Sequence, residues 1–212
     1  MSEVKICWSS FCSWIFPTRC ALCDLLGDAP ICAHCRQEFE PIDMVRREYN
    51  PLSPLELTVN LYPYTGRPGQ AIKRLKYSRA TSLSEPLSAM LLEGIERLGL
   101  LDYDLAVPVP IHWKRRCHRG FNQAELLCQR MPAVSRSLRR IKSTRQQAGL
   151  KRDDRMTNLA GAFRASPEVA GKSVLLIDDV LTSGFTMREC AKTLRQAGAV
   201  RVAALAFAGE QT

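Results

Sequence analysis

With 46% hydrophobic and 24% charged residues, a chain of 212 residues holds enough apolar material for one sizeable core plus a small appendage. Its opening apolar patch, Ile6, Trp8, Phe11, Ile15 and Phe16, is too short for a membrane span and lacks the marks of an export signal, so membrane insertion and export are not expected. Nine cysteines, an odd number, do not suit a closed disulfide framework, and a reducing cytoplasm follows.

The net charge of +9 is regional. Between Ile111 and Arg155 stand thirteen Lys and Arg against three Asp and Glu, and the remainder is close to neutral. Such concentration makes a local field for polyanions.

Ile6 to Phe16 carries Trp8, Phe11, Cys12 and Ile15 on one helical stripe and stops before Pro17. Cys20 and Cys23, then Cys32 and Cys35, form two Cys-x-x-Cys pairs, and four thiolates suit structural zinc with no open position for chemistry. A redox dithiol or reduced buried cysteines are the alternatives, ranked lower because both pairs occur together. A module this small would fold together with its metal. Cys7, Cys12, Cys117, Cys128 and Cys190 read as packing or surface residues. Prolines at 41, 51 and 54 mark a linker, giving an N-terminal helix and zinc module at 1–41, a linker at 42–56 and a main domain at 57–212.

The main domain opens with a strand, Leu57 to Tyr64, then a basic helix, Gly69 to Tyr77, and an amphipathic helix, Leu83 to Leu98. A strand is expected from Tyr103 to Val109, a helix from Asn122 to Met131 stopped by Pro132, and a weaker helix from Gln147 to Leu159. Lys172 to Ile177 is an apolar strand, Thr186 to Gln196 a helix ended by Gly198, and Val200 to Phe207 the last strand. Alternating strands and helices predict an α/β fold with a mainly parallel sheet covered by helices on both faces.

The uniformly apolar run Val174 to Ile177 delivers Asp178 and Asp179 to the carboxyl end of a buried strand, where open α/β sheets bind ligands. Side chains alternate along a strand, so these aspartates are expected to share a ligand only where the chain leaves strand geometry. They repel one another, and a vicinal diol or a magnesium ion would relieve them. Thr182, Ser183, Gly184, Phe185 and Thr186 follow just before a helix, a composition that suits a phosphate. Together the two halves describe a ribose 5-phosphate. The bland alternative is a capped helix beside two solvated aspartates.

After the other strand end, Pro108 to Pro110, comes Lys114, Arg115, Arg116, His118 and Arg119. These cations are read as a loop ahead of a helix start, easier to understand if a bound pyrophosphate or nucleic-acid backbone offsets them; a solvated basic turn is the alternative. His112 and His118 read as polar surface residues.

The run Asp178 to Thr186 resembles the ribosyl-phosphate signature of type I phosphoribosyltransferases, and Pro108 to Pro110 with Arg119 to Gln123 resembles the Pro-Val-Pro and Arg-Gly-Phe-Asn-Gln runs of the ComF/GntX family. Gln147, Leu150, Arg155, Asn158, Gly161 and Phe163 also have that family's spacing. The resemblance implies a type I phosphoribosyltransferase-like domain that binds phosphoribosyl pyrophosphate (PRPP) with magnesium. Asp178 and Asp179 would lie on the ribose, Thr182 to Thr186 on the 5-phosphate, and Lys114, Arg115, Arg116 and Arg119 on pyrophosphate or nucleic acid. It also implies a link to DNA uptake or use. The acceptor hood, usually the divergent part of the fold, is a place the zinc module would suit. A second function class stands beside the transferase: a single-stranded DNA-binding module whose pocket senses PRPP or holds a terminal phosphate, with Trp8, Trp14, Trp113 or Phe121 stacking on bases. A third is a scaffold joined to DNA-uptake machinery.

Overall fold

The computed structural model describes residues 18–27, 29–142 and 159–210. The expected helices at Ile6 to Phe16 and, but for Leu159, at Gln147 to Leu159 lie outside them, as do Trp8, Trp14, Cys7 and Cys12. Five strands form the main sheet: β1 (Met44–Arg47), β2 (Leu57–Pro63), β3 (Leu105–Pro108), β6 (Ser173–Leu181) and β7 (Arg201–Gly209). Their order is β1-β2-β7-β6-β3, parallel throughout except for the antiparallel edge strand β1. A separate two-stranded ribbon pairs β4 (Leu138–Arg140) with β5 (Phe163–Ala165).

Strand alternation sends the central residues to two different cores. Leu175, Ile177, Leu205 and Phe207 join one buried cluster, Val174, Leu176, Val202 and Ala204 the other. Helices α2 (Gly66–Tyr77) and α3 (Ser84–Arg97) cover the first face through Ile72, Leu75, Leu87, Leu91 and Ile95. On the second face α6 (Phe185–Gln196) lies against the sheet with Met187, Cys190, Ala191 and Leu194, joined by the ribbon through Leu138 and Phe163. This is the expected α/β architecture, a mainly parallel sheet with helices on both faces.

Four local features depart from the sequence reading. The proline-rich linker contains β1, which a four-residue exposed run without alternation did not announce. The basic segment is helical: α4 (Trp113–Arg119) starts at His112, whose Nδ1 accepts from the Lys114 amide, so His112 is a buried cap rather than a surface residue. Arg116, His118 and Arg119 therefore occupy a last turn, where the helix dipole favours cations, and only Lys114 and Arg115 remain at the unfavourable end. Helix α5 (Gln123–Leu127) is shorter than expected, closing in turns before Pro132. Strand β6 runs four residues beyond Ile177 because it stays in register with β7 as far as Leu181 opposite Gly209.

The four-cysteine segment shares the first core. Cys20, Leu22, Ile31, Cys35 and Phe39 are buried with the residues of α2 and α3. Helix α2 grips it by its backbone: Arg74 donates to the Ala21 carbonyl at 2.7 Å, and Arg67 and Gln70 donate to that of Leu22 at 3.2 and 3.4 Å. Arg67 also pairs with Glu38 at 2.8 Å. The short helix α1 (Ala33–Gln37) is tied to α3 by Arg36 and Glu93, 2.8 Å apart. No helix among the described residues is long and apolar enough to cross a membrane.

Candidate functional site

The carboxyl ends of β3 and β6 open into a cleft of about 690 Å3. Its walls come from the end of α2 and the turn after it (Lys76, Tyr77, Arg79), from the segment after β3 and from α4 (Val109 to Ile111, Lys114, Arg115, His118, Arg119), from Gln123, Arg140 and Thr186, and from Asp178 and Asp179. Six Lys and Arg thus face two carboxylates, a balance suited to an anion larger than the carboxylates neutralise.

The two aspartates reach the cleft without leaving the strand. Asp179 points to the α2 side, where Lys76 Nζ lies 3.0 Å from its Oδ2. Asp178, one residue back, senses Cys190 on the α6 side, and its Oδ1 accepts from the Asp179 amide at 2.8 Å. The expectation that strand geometry must break is corrected: the cleft lies across the strand's end and takes in both faces. Burial, reinforced by the Asp179 charge, pushes the Asp178 carboxyl well above the usual carboxylate range, and Lys76 only partly opposes this. Burial also works against the Lys76 ammonium, but Asp179 and Asp178 outweigh it and hold the lysine more firmly protonated than an ordinary one. The Lys76 ammonium is the close partner of the buried Asp179 Oδ2, and among the described residues no backbone amide or hydroxyl donates to that oxygen.

Of the hydroxyl loop, Thr186 lines the cleft, Thr182 and Ser183 are exposed and are not among its walls, and Phe185 is half-buried against the second core. Gly184 has φ +72, a left-handed conformation open to glycine, and caps α6 without a side-chain hydrogen bond, which leaves the first amides of that helix without a side-chain acceptor. Of the basic run, Lys114, Arg115 and Arg119 line the cleft. Arg116 does not. It forks onto Glu125 at 2.9 and 3.3 Å, and Arg136 shares that carboxylate at 3.3 Å. Lys76, Arg79, Gln123 and Arg140 were not singled out in the sequence. A helix-end lysine four residues after Ile72 offers no local signal, but the Arg-Gly-Phe-Asn-Gln run does contain Gln123.

The four cysteines form a second constellation, and none of them lines the cleft. The Sγ atoms of Cys20, Cys23, Cys32 and Cys35 lie within 4.8 Å of one another. Burial opposes ionisation of the Cys20 thiol, yet amides of Cys32, Leu22 and Cys23 hold it down at about 6. Four converging sulfurs with amide donors on a thiolate are the donor set of a tetrahedral zinc site, so these residues fit that metal. The remaining described cysteines agree with packing or surface roles: Cys128 and Cys190 are buried and Cys117 is exposed. No described residue of the module lines the cleft; the module packs against α2 through Arg67, Gln70 and Arg74.

Residues 118–212 match the model of the phosphoribosyl transferase domain. "DNA utilization protein YhgH" of Escherichia coli is 33% identical over 159 residues, covering 70% of both chains. This chain belongs to the ComF/GntX family. "Competence protein F" of Haemophilus influenzae, another member, is 36% identical over 140 residues, covering 60% of this chain and 61% of that one. Among solved structures, an allosteric regulatory enzyme of purine biosynthesis is 20% identical with a TM-score of 0.43, over 64% of this chain and 30% of that one. The domain match and the family together give this chain the fold of a type I phosphoribosyltransferase domain with a four-cysteine module at its N-terminal side.

Proposed function

We propose that the cleft binds PRPP with magnesium and that the protein acts there as a phosphoribosyltransferase in the uptake or use of DNA. The observation that carries this reading is the pairing of two unlike subsites in one cleft: the carboxylates of Asp178 and Asp179 at the end of β6, and Lys114, Arg115 and Arg119 on α4 beyond the end of β3. Asp178 and Asp179 accept from the ribose hydroxyls. The loop from Thr182 to Thr186, opened by left-handed Gly184, holds the 5-phosphate on the free amides of α6. Magnesium, for which these carboxylates are suitable hard donors, would supply charge neutralisation at the pyrophosphate. Lys114, Arg115 and Arg119 orient the leaving pyrophosphate and stabilise its charge as the bond to the anomeric carbon lengthens. Zinc in the four-cysteine cluster is structural, and the reduced thiols suit a cytoplasmic setting.

A second reading is favoured by the rim. Trp113 is 61% exposed with Lys114 Nζ 5.7 Å from its ring centre, and Tyr77 is 72% exposed with the Arg119 guanidinium at 5.4 Å. Exposed rings beside cations suit stacking of single-stranded DNA bases, with the pocket sensing PRPP or a terminal phosphate. Phe121, by contrast, is partly buried against the core and is a poorer platform. The names of the relatives support a DNA-related role, in which DNA-uptake machinery proteins are the natural partners.

Calorimetry with PRPP and magnesium, followed by a pyrophosphate-release screen across nucleobases, separates these readings. Heat with release supports the transferase, and heat without release supports the sensor. No heat at all refutes the PRPP site.

A further inference from the structure

Gln123 is only 2% exposed, lines the cleft, and its Nε2 has no hydrogen-bond partner. A buried amide donor without an acceptor is costly, so its retention at a cleft wall needs a reason. The residue before it shows that the position is set rather than accidental. Asn122 is also buried, donates Nδ2 to the Val109 carbonyl at 3.0 Å and accepts the Ala124 amide on Oδ1 at 3.1 Å. That clamp ties the start of α5 to the end of β3 and delivers Gln123 beside the walls that carry Lys114, Arg115 and Arg119. The cleft wall thus holds a buried donor left without a partner, and Gln123 Nε2 asks for an acceptor such as a phosphate oxygen.

We infer that Gln123 is a ligand-binding residue whose side-chain amide donates to the diphosphate of the bound sugar, making the cleft selective for a diphosphate over a sugar monophosphate. The inference rests on the PRPP reading above and adds to it the residue that recognises the leaving group. The neutral amide serves a purpose the surrounding cations do not. A point charge attracts any anion, but a desolvated neutral donor rewards only an oxygen that comes into line with its N–H. Such a group also carries its cost in the free protein, where it is unpaired, and recovers it in the complex.

That asymmetry supplies the test. Gln123→Met keeps length and volume and removes the donor, and Gln123→Glu keeps shape and replaces the donor with an anion. The full chain, zinc-loaded, is titrated calorimetrically with PRPP, inorganic pyrophosphate and ribose 5-phosphate, each with magnesium, and its melting temperature is recorded without ligand. Gln123→Met is expected to bind PRPP and pyrophosphate roughly ten- to a hundredfold more weakly, as for a hydrogen bond to a charged group. Ribose 5-phosphate binding should stay within twofold and the ligand-free melting temperature should not fall. Gln123→Glu should lose more affinity for pyrophosphate than Gln123→Met, and it serves alone if the methionine variant does not fold. Unchanged pyrophosphate affinity overturns the inference. So does a lower melting temperature with equal weakening of all three ligands, which is the pattern of an amide satisfied by buried water. If the wild type binds none of the three, the PRPP reading itself fails, and that result is distinct from a wild type that binds while the variants match it.

Discussion

Replacing Lys76 by Met tests whether the charge balance of the cleft is what the geometry says. The ammonium lies 3.0 Å from Asp179 Oδ2, with side-chain exposures of only 14% and 9%, and it is the cation opposing the Asp178 charge as well. At an effective dielectric constant of about 20 the gross attraction at that distance is roughly 5 kcal/mol, before the desolvation both ions have suffered. Deleting one partner of a buried pair strands the other charge, which typically costs about 3–5 kcal/mol; the residual exposure argues for the lower end, about 3 kcal/mol. For a domain of this size that corresponds to a fall in melting temperature of roughly 6–12 °C. The stranded carboxylates should relax by binding a proton. Their folded pKa in the variant then lies above the unfolded value, so the variant's own deficit is small at acid pH and grows as pH rises through the carboxylate range and beyond. Differential scanning calorimetry of wild type and Lys76→Met from pH 4.5 to 8, with zinc held saturating, reads both effects. Equal melting temperatures at pH 8, or a deficit that grows on acidification, would refute the buried-pair account.

Four shorter predictions follow from other parts of the molecule. Because burial raises the Asp178 carboxyl above the usual range and the proposed ribose contact uses its carboxylate, PRPP affinity should rise with pH as that group loses its proton, with proton release detectable from calorimetry in two buffers of different ionisation enthalpy. Cys20→Ser should lose bound zinc, measured by atomic emission, and lower the melting temperature, since Cys20 is one of four converging sulfurs and its segment is built into the first core. Gly69→Ala, which helix propensity alone would favour by about 1 kcal/mol, should instead destabilise, because a Cβ there would sit 2.6 Å from the Tyr64 carbonyl oxygen, and urea denaturation gives the sign. Under the DNA reading, the double variant Trp113→Ala, Tyr77→Ala should weaken single-strand binding by roughly tenfold or more while leaving the salt slope unchanged, as rings stack and cations set the slope.

The alternation of apolar strands with amphipathic helices was legible because both faces of the sheet are covered, so β3, β6 from Val174 to Ile177 and β7 from Val202 to Ala208 read as continuous apolar runs. Strand β1 was not, since an exposed edge strand carries no burial pattern and three prolines surround it. Asp178, Asp179 and Thr186 were legible because one segment brings them to one strand end. Lys76, Arg79 and Arg140 were not, because they converge from a helix end, a turn and a ribbon that only the tertiary fold brings together. Arg116 shows the reverse failure: within a run of cations nothing local reveals which of them a neighbouring Glu125 will claim. The cysteine spacing announced the cluster, but not that Arg67, Gln70 and Arg74 of α2 would bind its backbone.

The central claim, a PRPP site at the end of β6, is tested most directly by isothermal titration of PRPP and magnesium into the wild type and Asp179→Asn. The asparagine keeps the shape and removes the charge that faces Lys76 and, in the proposed site, the ribose. The account predicts a saturable heat with the wild type and a loss of at least tenfold in affinity in the variant, with pyrophosphate binding less affected than PRPP binding. A wild type that gives no heat, or an Asp179→Asn protein that binds PRPP as tightly as the wild type, would contradict it.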